Sequence, residues 1–274
     1  MSKRRDATPA IIASWIARGD GQGENEHYKP FLKVRDVPSR GRSSMVLGLK
    51  SGRTHHYLSD IEYKMHILAE YDHNVEDIRE QFALLPWEET QEIADSLGIR
   101  HPAYPYSRTP IVMTSDIVLT LMNKQPNRYA VVSVKPSKDI APQNPKARRC
   151  IEKLLIEKTY WNRRNTPWEL VTEHDINHIR FQNLNNFRAA VVARELDYLN
   201  AQMPEFLELF KVNWKLEATL NQILGATASS IKLSTYNCFM LFGRAVWQRK
   251  LPVDIDSLVI RHNHPVPNTL QHGC

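Results

Sequence analysis

At 274 residues the chain exceeds the usual span of one compact domain, so two domains are the first expectation. With 42% hydrophobic and 24% charged residues it has an ordinary globular composition without low-complexity runs or internal repeats, and no apolar stretch approaches the roughly 20 residues of a membrane span; we expect a cytoplasmic protein with no membrane partner. The first 53 residues hold eleven Lys or Arg against five Asp or Glu and so account for the whole net charge of +6; this excess suits a phosphate backbone and equally a solvated surface.

In chain order, Thr8-Pro9 predicts a helix start, continued by Ile11, Ile12, Trp15 and Ile16 to Gly19. Glycines 19, 21 and 23 follow no strand, so they read as a connection rather than a phosphate loop. Residues 44–57 predict two strands around a turn at Lys50-Ser-Gly52, and Ser59-Asp-Ile-Glu62 fits a capping box opening a helix to about Tyr71. A strand over 75–82 and a helix over 88–97, ended by Gly98, come next. The prolines of 101–110 predict loop, and strands at 111–121 and 128–134 flank a turn at 123–127. A long helix over 145–165 should bury Cys150, Ile151, Leu154, Leu155 and Trp161, and Trp168-Glu-Leu-Val171 predicts a last buried strand. This helix opens a second basic run, Lys146, Arg148, Arg149, Lys153, Lys158, Arg163 and Arg164. To about residue 174 the pattern is mixed α/β around one central sheet; residues 175–274 are mainly helical, with one strand expected near Leu258-Val-Ile260, and suggest a small separate domain.

The cysteines, Cys150, Cys238 and Cys274, are odd in number and far apart with no CxxC spacing, which indicates neither a disulfide framework nor a zinc site; a buried Cys150 and a free thiol in the tail are expected. His55 and His56 alternate faces on a strand and suit packing or DNA contact better than chelation.

One constellation can carry chemistry. Asp116 begins a strand whose partner ends in Ser133-Val134-Lys135, where Ser133 and Lys135 share a face. An acid beside a lysine on a hairpin, with a further acid on a preceding helix, is the layout of the restriction-endonuclease-like core, in which carboxylates hold Mg²⁺ and the ammonium steadies the phosphate charge. Each residue also has a plainer reading: Glu62 as a capping glutamate, Asp116 as a strand-edge acid, Lys135 as a solvated strand end, Glu157 as a glutamate at the rim of an apolar helix face.

Longer motifs add to this. Gly52-Arg-Thr-His-His-Tyr-Leu-Ser-Asp-Ile-Glu62, Asp77-Ile-Arg-Glu-Gln-Phe-Ala-Leu-Leu-Pro86, Met113-Thr-Ser-Asp116, Val134-Lys-Pro136 and Glu152-Lys-Leu-Leu-Ile-Glu157-Lys-Thr-Tyr-Trp161, with the earlier Gly21-Gln-Gly23 and Val37-Pro-Ser-Arg-Gly-Arg-Ser43, resemble in order the motifs of the TnsA-type endonuclease subunit of heteromeric cut-and-paste transposons. The resemblance covers nearly all of the first 175 residues. It implies that Glu62, Asp116 and Lys135 match the family's catalytic acid, acid and lysine, and that Glu157 is a further acid near the metals. Mg²⁺, or Mn²⁺ in its place, would be held by Glu62, Asp116, the Val134 carbonyl and Ser133. The implied task is cutting the 5′ strand at transposon ends, beside an integrase-like transposase that cuts the 3′ strand and an ATPase regulator that contacts the carboxy-terminal domain. One residue departs from the pattern: the family has glutamine two residues before the lysine, where this chain has Ser133, a shorter and poorer ligand.

Two other functions stay open on the residues: a free-standing restriction- or repair-type nuclease, and a catalytically weakened subunit that binds DNA and partners. The expected architecture is thus a restriction-endonuclease-like nuclease domain over 1–174 and, over 175–274, a helical, winged-helix-like partner-binding module. Trp214, Leu216, Leu220, Ile223 and Leu224 should form its core, joined by Tyr236, Phe239, Met240, Phe242 and Trp247.

Overall fold

The computed structural model describes residues 6–37, 41–122 and 128–269. The basic start, part of the 37–43 motif, the turn at 123–127 and Cys274 lie outside these residues. Contacts divide the chain into two compact units, Met1–Ile176 and Asn177–Cys274.

In the first unit, α1 (Pro9–Ala17) opens on Thr8, whose hydroxyl accepts the Ile11 N–H, with proline in the first turn where no N–H is needed. Strands β1 (Ser44–Leu47) and β2 (Thr54–Tyr57) form an antiparallel two-stranded sheet of their own, apart from the central sheet. Helix α2 (Asp60–Tyr71) follows, then β3 (Val75–Ala83), α3 (Trp87–Ser96), β4 (Thr114–Leu121), β5 (Tyr129–Val134), a short α4 (Ser137–Ile140), α5 (Ala147–Asn162) and β6 (Trp168–Val171).

The central sheet has the order β3-β4-β5-β6: the first three strands are antiparallel, and β6 returns parallel to β5 after the α5 crossover. Helix α5 lays Ile156, Tyr160 and Trp161 on Val118 and Val131 of the sheet and on Leu84, Ile93 and Ala94 beside it. Each such apolar side chain taken fully from water contributes roughly 1.5–3 kcal/mol. The buried face of α5 includes Ala147, Leu154, Ile156, Glu157, Tyr160 and Trp161, which corrects the sequence reading. Ile151 and Leu155 are exposed, and Cys150 is half-buried because it lies on the flank that carries Lys146, Arg149 and Lys153. Cys238 is the buried thiol.

A smaller core joins Ile12, Phe31, Ala83, Tyr104 and Val112. Gly21, at φ +79°, hands its N–H to the Lys29 carbonyl at 2.6 Å. A Cβ there would stand 2.4 Å from that of Ala83, so glycine is what lets the amino-terminal segment lie against the end of β3.

The second unit contains α6 (His178–Val192), a 3₁₀ segment (Arg194–Gln202), α7 (Met203–Asn213), α8 (Leu220–Ile231) and α9 (Thr235–Trp247). Thr219 and Gln222 close a capping box at the start of α8. Helices α6 and α9 cross closely: a Cβ on Gly243 would lie 2.9 Å from that of Ala190. The next residue, Arg244, donates to the Ala190 and Ala193 carbonyls at 2.9 and 2.7 Å, supplying partners for the carbonyls that the end of α6 leaves free. Leu220, Ile223, Leu224, Met240, Phe242 and Trp247 are buried, whereas Leu216 and Tyr236 are exposed.

Residues 258–260 do not form the expected strand. The Asn183 side chain binds this segment instead, donating to the Ile255 and Leu258 carbonyls at 3.0 and 2.9 Å and accepting the Ile260 N–H at 2.9 Å. A side-chain amide thus takes up the backbone groups a strand would have paired. Among the described residues of this unit β-pairing is limited to isolated bridges, Thr219 with Pro265 and Val253 with Asn268. The winged-helix-like expectation is therefore matched only in its helices.

Candidate active site

Asp116 and Lys135 meet at one end of the β4–β5 hairpin. The Lys135 Nζ donates to Asp116 Oδ2 at 2.9 Å and to the Val134 carbonyl at 2.6 Å. The β4–β5 ladder stops at the pair Ile117–Val132, and the next inward N–H, that of Val134, goes to Asp116 Oδ2 at 2.8 Å. A carboxylate thus replaces a strand carbonyl as acceptor, which opens the ladder and fixes the acid beside the lysine.

The other flank of Asp116 is irregular too. On β3 the register runs through Glu80–Ile117 and Phe82–Ser115, so Gln81 and Asp116 stand opposite each other. Gln81 has φ +48°, a conformation that costs a non-glycine residue of order 1–3 kcal/mol and is found where function requires it. Its carbonyl takes the Phe31 N–H at 3.1 Å, while its buried side chain accepts from Thr114 Oγ1 at 3.2 Å and donates to Glu62 Oε2 at 3.3 Å. Sequence reasoning gave Gln81 no role, although it sits inside the Asp77–Pro86 motif.

Glu62 does two jobs at once. It lies in the first turn of α2, where the Ser59 hydroxyl accepts its N–H at 3.2 Å and donates to its Oε1 at 2.8 Å. Its Oε2 reaches back to the Leu58 N–H at 3.1 Å, one residue before the usual capping partner. Burial, and then the negative charge of Asp116, push its carboxyl up to about 7 against those hydrogen bonds.

Glu157 reaches the same cluster from α5. The fully buried Ser133 donates its hydroxyl to Glu157 Oε1. Burial and Asp116 push Glu157 up to about 7 as well, against the hydrogen bond from Ser133 and the charge of Lys135. For Lys135, burial works against the ammonium, but the charge and hydrogen bond of Asp116, with Glu157 and Glu62, outweigh it and raise its pKa. All five side chains named from the sequence thus come together, with the Val134 carbonyl among them.

Only Asp116 bonds the Lys135 ammonium, and Glu62 and Glu157 act on it through their charge, so the cluster lacks positive charge when ionised. The donors are hard oxygens of the kind Mg²⁺ and Mn²⁺ prefer. Among the described residues no three or more His, Cys, Asp or Glu side chains converge on one ion position. A cation here would therefore rest on one or two carboxylates, a main-chain carbonyl, water and substrate phosphate, which is the usual form of Mg²⁺ sites at phosphates. The residues fit such an ion.

His55 proves to be a packing residue: fully buried, its Nδ1 meets Glu80 Oε2 at 2.8 Å and its Nε2 meets Ser51 Oγ at 2.8 Å. His56 is half-buried. No helix among the described residues is long and apolar enough to cross a membrane.

Residues 72–173 match the family model described as the TnsA-like endonuclease N terminal. The chain is also 32% identical over 240 residues to the Transposon Tn7 transposition protein TnsA of Escherichia coli, covering 84% of this chain and 85% of that one. The matched span takes in Asp116, Ser133, Val134, Lys135 and Glu157, and the mixed sheet with its flanking helices is consistent with a nuclease fold. Family matches and fold agree, and the chain belongs to the TnsA-type endonucleases of transposition.

Proposed function

We propose that this protein cuts the 5′ strand at each end of a cut-and-paste transposon by hydrolysing one phosphodiester with the help of Mg²⁺ or Mn²⁺, on a restriction-endonuclease-like domain. The observation that carries the reading is the Asp116–Lys135 pair at the opened end of the β4–β5 ladder, flanked by Glu62 and Glu157.

Glu62, Asp116 and the Val134 carbonyl would hold the ion, with Ser133 close by. Bound there, it supplies charge to the phosphate and makes water a better nucleophile. The Lys135 ammonium, steadied by Asp116 and Val134, faces the charge that builds on the phosphate oxygens. Glu157 fixes the Ser133 hydroxyl. Gln81 and Leu58 orient the Glu62 carboxylate, so the acids are set before substrate arrives. At the start of α5, Lys146, Arg149 and Lys153 line, together with Asp139, a hollow of about 430 Å³ that ends one turn before Glu157, where DNA phosphates could lie.

The name of the relative, a transposition protein, supports the wider assignment. A separate integrase-like transposase would cut the 3′ strand, and the unit from residue 177 would dock an ATPase regulator. The test is cleavage of a labelled transposon end by the full chain with and without that transposase. The 5′ strand should be cut, and Asp116→Ala and Lys135→Ala should each lower the rate by ~10³ or more while assembly persists. Normal cutting by both variants would refute the site; efficient cutting of unrelated DNA without a partner would point to a free-standing nuclease.

A further inference from the structure

A second cavity, of about 420 Å³, opens in the first unit between β3, β4, β5 and the end of α5. Its size is within the ~300–1,000 Å³ of small-molecule sites. Arg79, Arg128 and Arg164 line it together with Phe82, Tyr129 and Tyr160, and no carboxylate is in its wall.

Arg79 is the unusual member. It is only 4% exposed, its guanidinium held between the rings of Phe82 and Tyr129 at 5.0 and 4.8 Å. One nitrogen reaches Thr120 Oγ1 at 3.3 Å, but Nε makes no hydrogen bond, and the Asp77 carboxylate lies 3.9 Å from it. Arg128, 37% exposed, also has an Nε without a hydrogen bond, while its Nη2 lies 3.8 and 3.9 Å from the Glu76 and Glu24 carboxylates. Arg164, by contrast, is satisfied by Glu89 through two bonds of 3.0 and 2.6 Å and lies over the Tyr160 ring at 3.6 Å.

Arg79 and Arg128 meet their acids only at 3.8–3.9 Å, without hydrogen bonds to them, so guanidinium donors are left that an anion in the cavity could take. The flat walls of ring and guanidinium favour an aromatic plane beside it. A phosphate joined to a base meets both demands. The place is also informative: Trp161, which lines the cavity, donates its Nε1–H to Ser115 Oγ at 2.8 Å, and Ser115 precedes Asp116. Trp161 is one turn of α5, about 5.4 Å of rise, beyond Glu157, and neighbouring nucleotides in a duplex strand rise by roughly 3.4 Å.

We propose that this cavity is a nucleotide site that takes one unpaired nucleotide next to the phosphate being cut, its phosphate on Arg79 and Arg128 and its base against Tyr129 and Phe82. The assignment to DNA rests on the endonuclease reading; a free nucleotide has the same chemistry and is the other source. Both are separable with the full chain by saturation-transfer NMR of dAMP, using inorganic phosphate, a ten-nucleotide single strand and the matching duplex as competitors.

The base protons of dAMP should be saturated, and dAMP should bind at least fivefold more tightly than inorganic phosphate. The single strand should displace it at lower concentration than the duplex does. A single strand that displaces dAMP no better than inorganic phosphate does would keep the site but make its ligand a soluble nucleotide. Arg128→Gln, at a half-exposed position, should weaken dAMP at least fivefold, and Arg79→Met should abolish its binding if that variant folds. Absence of base saturation, or dAMP binding unchanged in Arg128→Gln, would overturn the proposal. Cleavage by Arg128→Gln is measured separately, so the cavity assignment can fail while cutting persists, and nucleotide binding can hold in a chain that does not cut.

Discussion

Replacing Glu80 by glutamine probes the buried charge network that ties β2 to β3 behind the acid cluster. Glu80 is fully buried and accepts from Arg53 Nη1 and Nη2 at 2.8 and 2.6 Å, from His55 Nδ1 at 2.8 Å and from the His56 N–H at 3.0 Å. Burial alone would raise its pKa, but the hydrogen bonds from Arg53 and then His55 carry it from 4.5 down to about 2. That difference corresponds to about 3 kcal/mol of stability. Because the folded value lies below the unfolded one, this stability is fully present above about 4.5 and is lost as pH falls toward 2. Glu80→Gln removes the charge, turns an N–H donor toward other donors and leaves Arg53 with no close anion, so a loss of ~3–5 kcal/mol is expected at pH 7. The assay is urea unfolding read by hydrogen exchange in peptides from β2 and β3, at pH 7 and pH 3. The gap between variant and parent should narrow at pH 3. A gap below about 0.5 kcal/mol at pH 7, or one equally wide at pH 3, would refute the reasoning.

Three further substitutions test the site and its frame. Gln81→Gly should be more stable than Gln81→Ala by about 1 kcal/mol, since glycine accepts φ +48° without strain; both should slow metal-dependent cutting about tenfold by freeing Glu62, and an alanine variant as stable as the glycine one in thermal melts would contradict the strain. Ser133→Ala removes the donor to buried Glu157 and should cost ~1–3 kcal/mol while raising the Mg²⁺ concentration for half-maximal cutting several-fold; an unchanged Mg²⁺ titration would exclude Ser133 from the metal's surroundings. Gly243→Ala should destabilise the second unit by ~1–3 kcal/mol through the clash with Ala190, whereas a higher melting temperature, as helix propensity alone would give, would show that α6 and α9 do not cross so closely.

What could be read from the residues, and what could not, divides along a physical line. Counting along a period-two hairpin brings Asp116 near Lys135 but left each a plainer reading; the motifs around them singled the pair out, and the structure adds that Asp116 itself breaks the ladder. Glu62 seemed to demand a choice between capping and chemistry, yet the two roles are compatible: the cap bonds from Ser59 and Leu58 hold the carboxylate that must face Asp116. The errors share a different cause. Ile151 and Leu155 on α5, and the segment 258–260, were judged by local apolar pattern, but their fate depends on partners far away in sequence. The first two find no cover, and the third is held by Asn183, more than seventy residues earlier. Gln81 was missed for the same reason, since neither its positive φ nor its bond to Glu62, nineteen residues away, leaves a local trace. The same kind of long-range bond pattern now makes Arg79 conspicuous, a cation that the strand pattern of Asp77-Ile-Arg-Glu does nothing to distinguish from its neighbours. In this chain, then, the acids and lysine of the proposed chemistry sit on strands and a helix that periodicity finds, while the groups that orient them, and those proposed to take the nucleotide, are set by contacts that only folding creates.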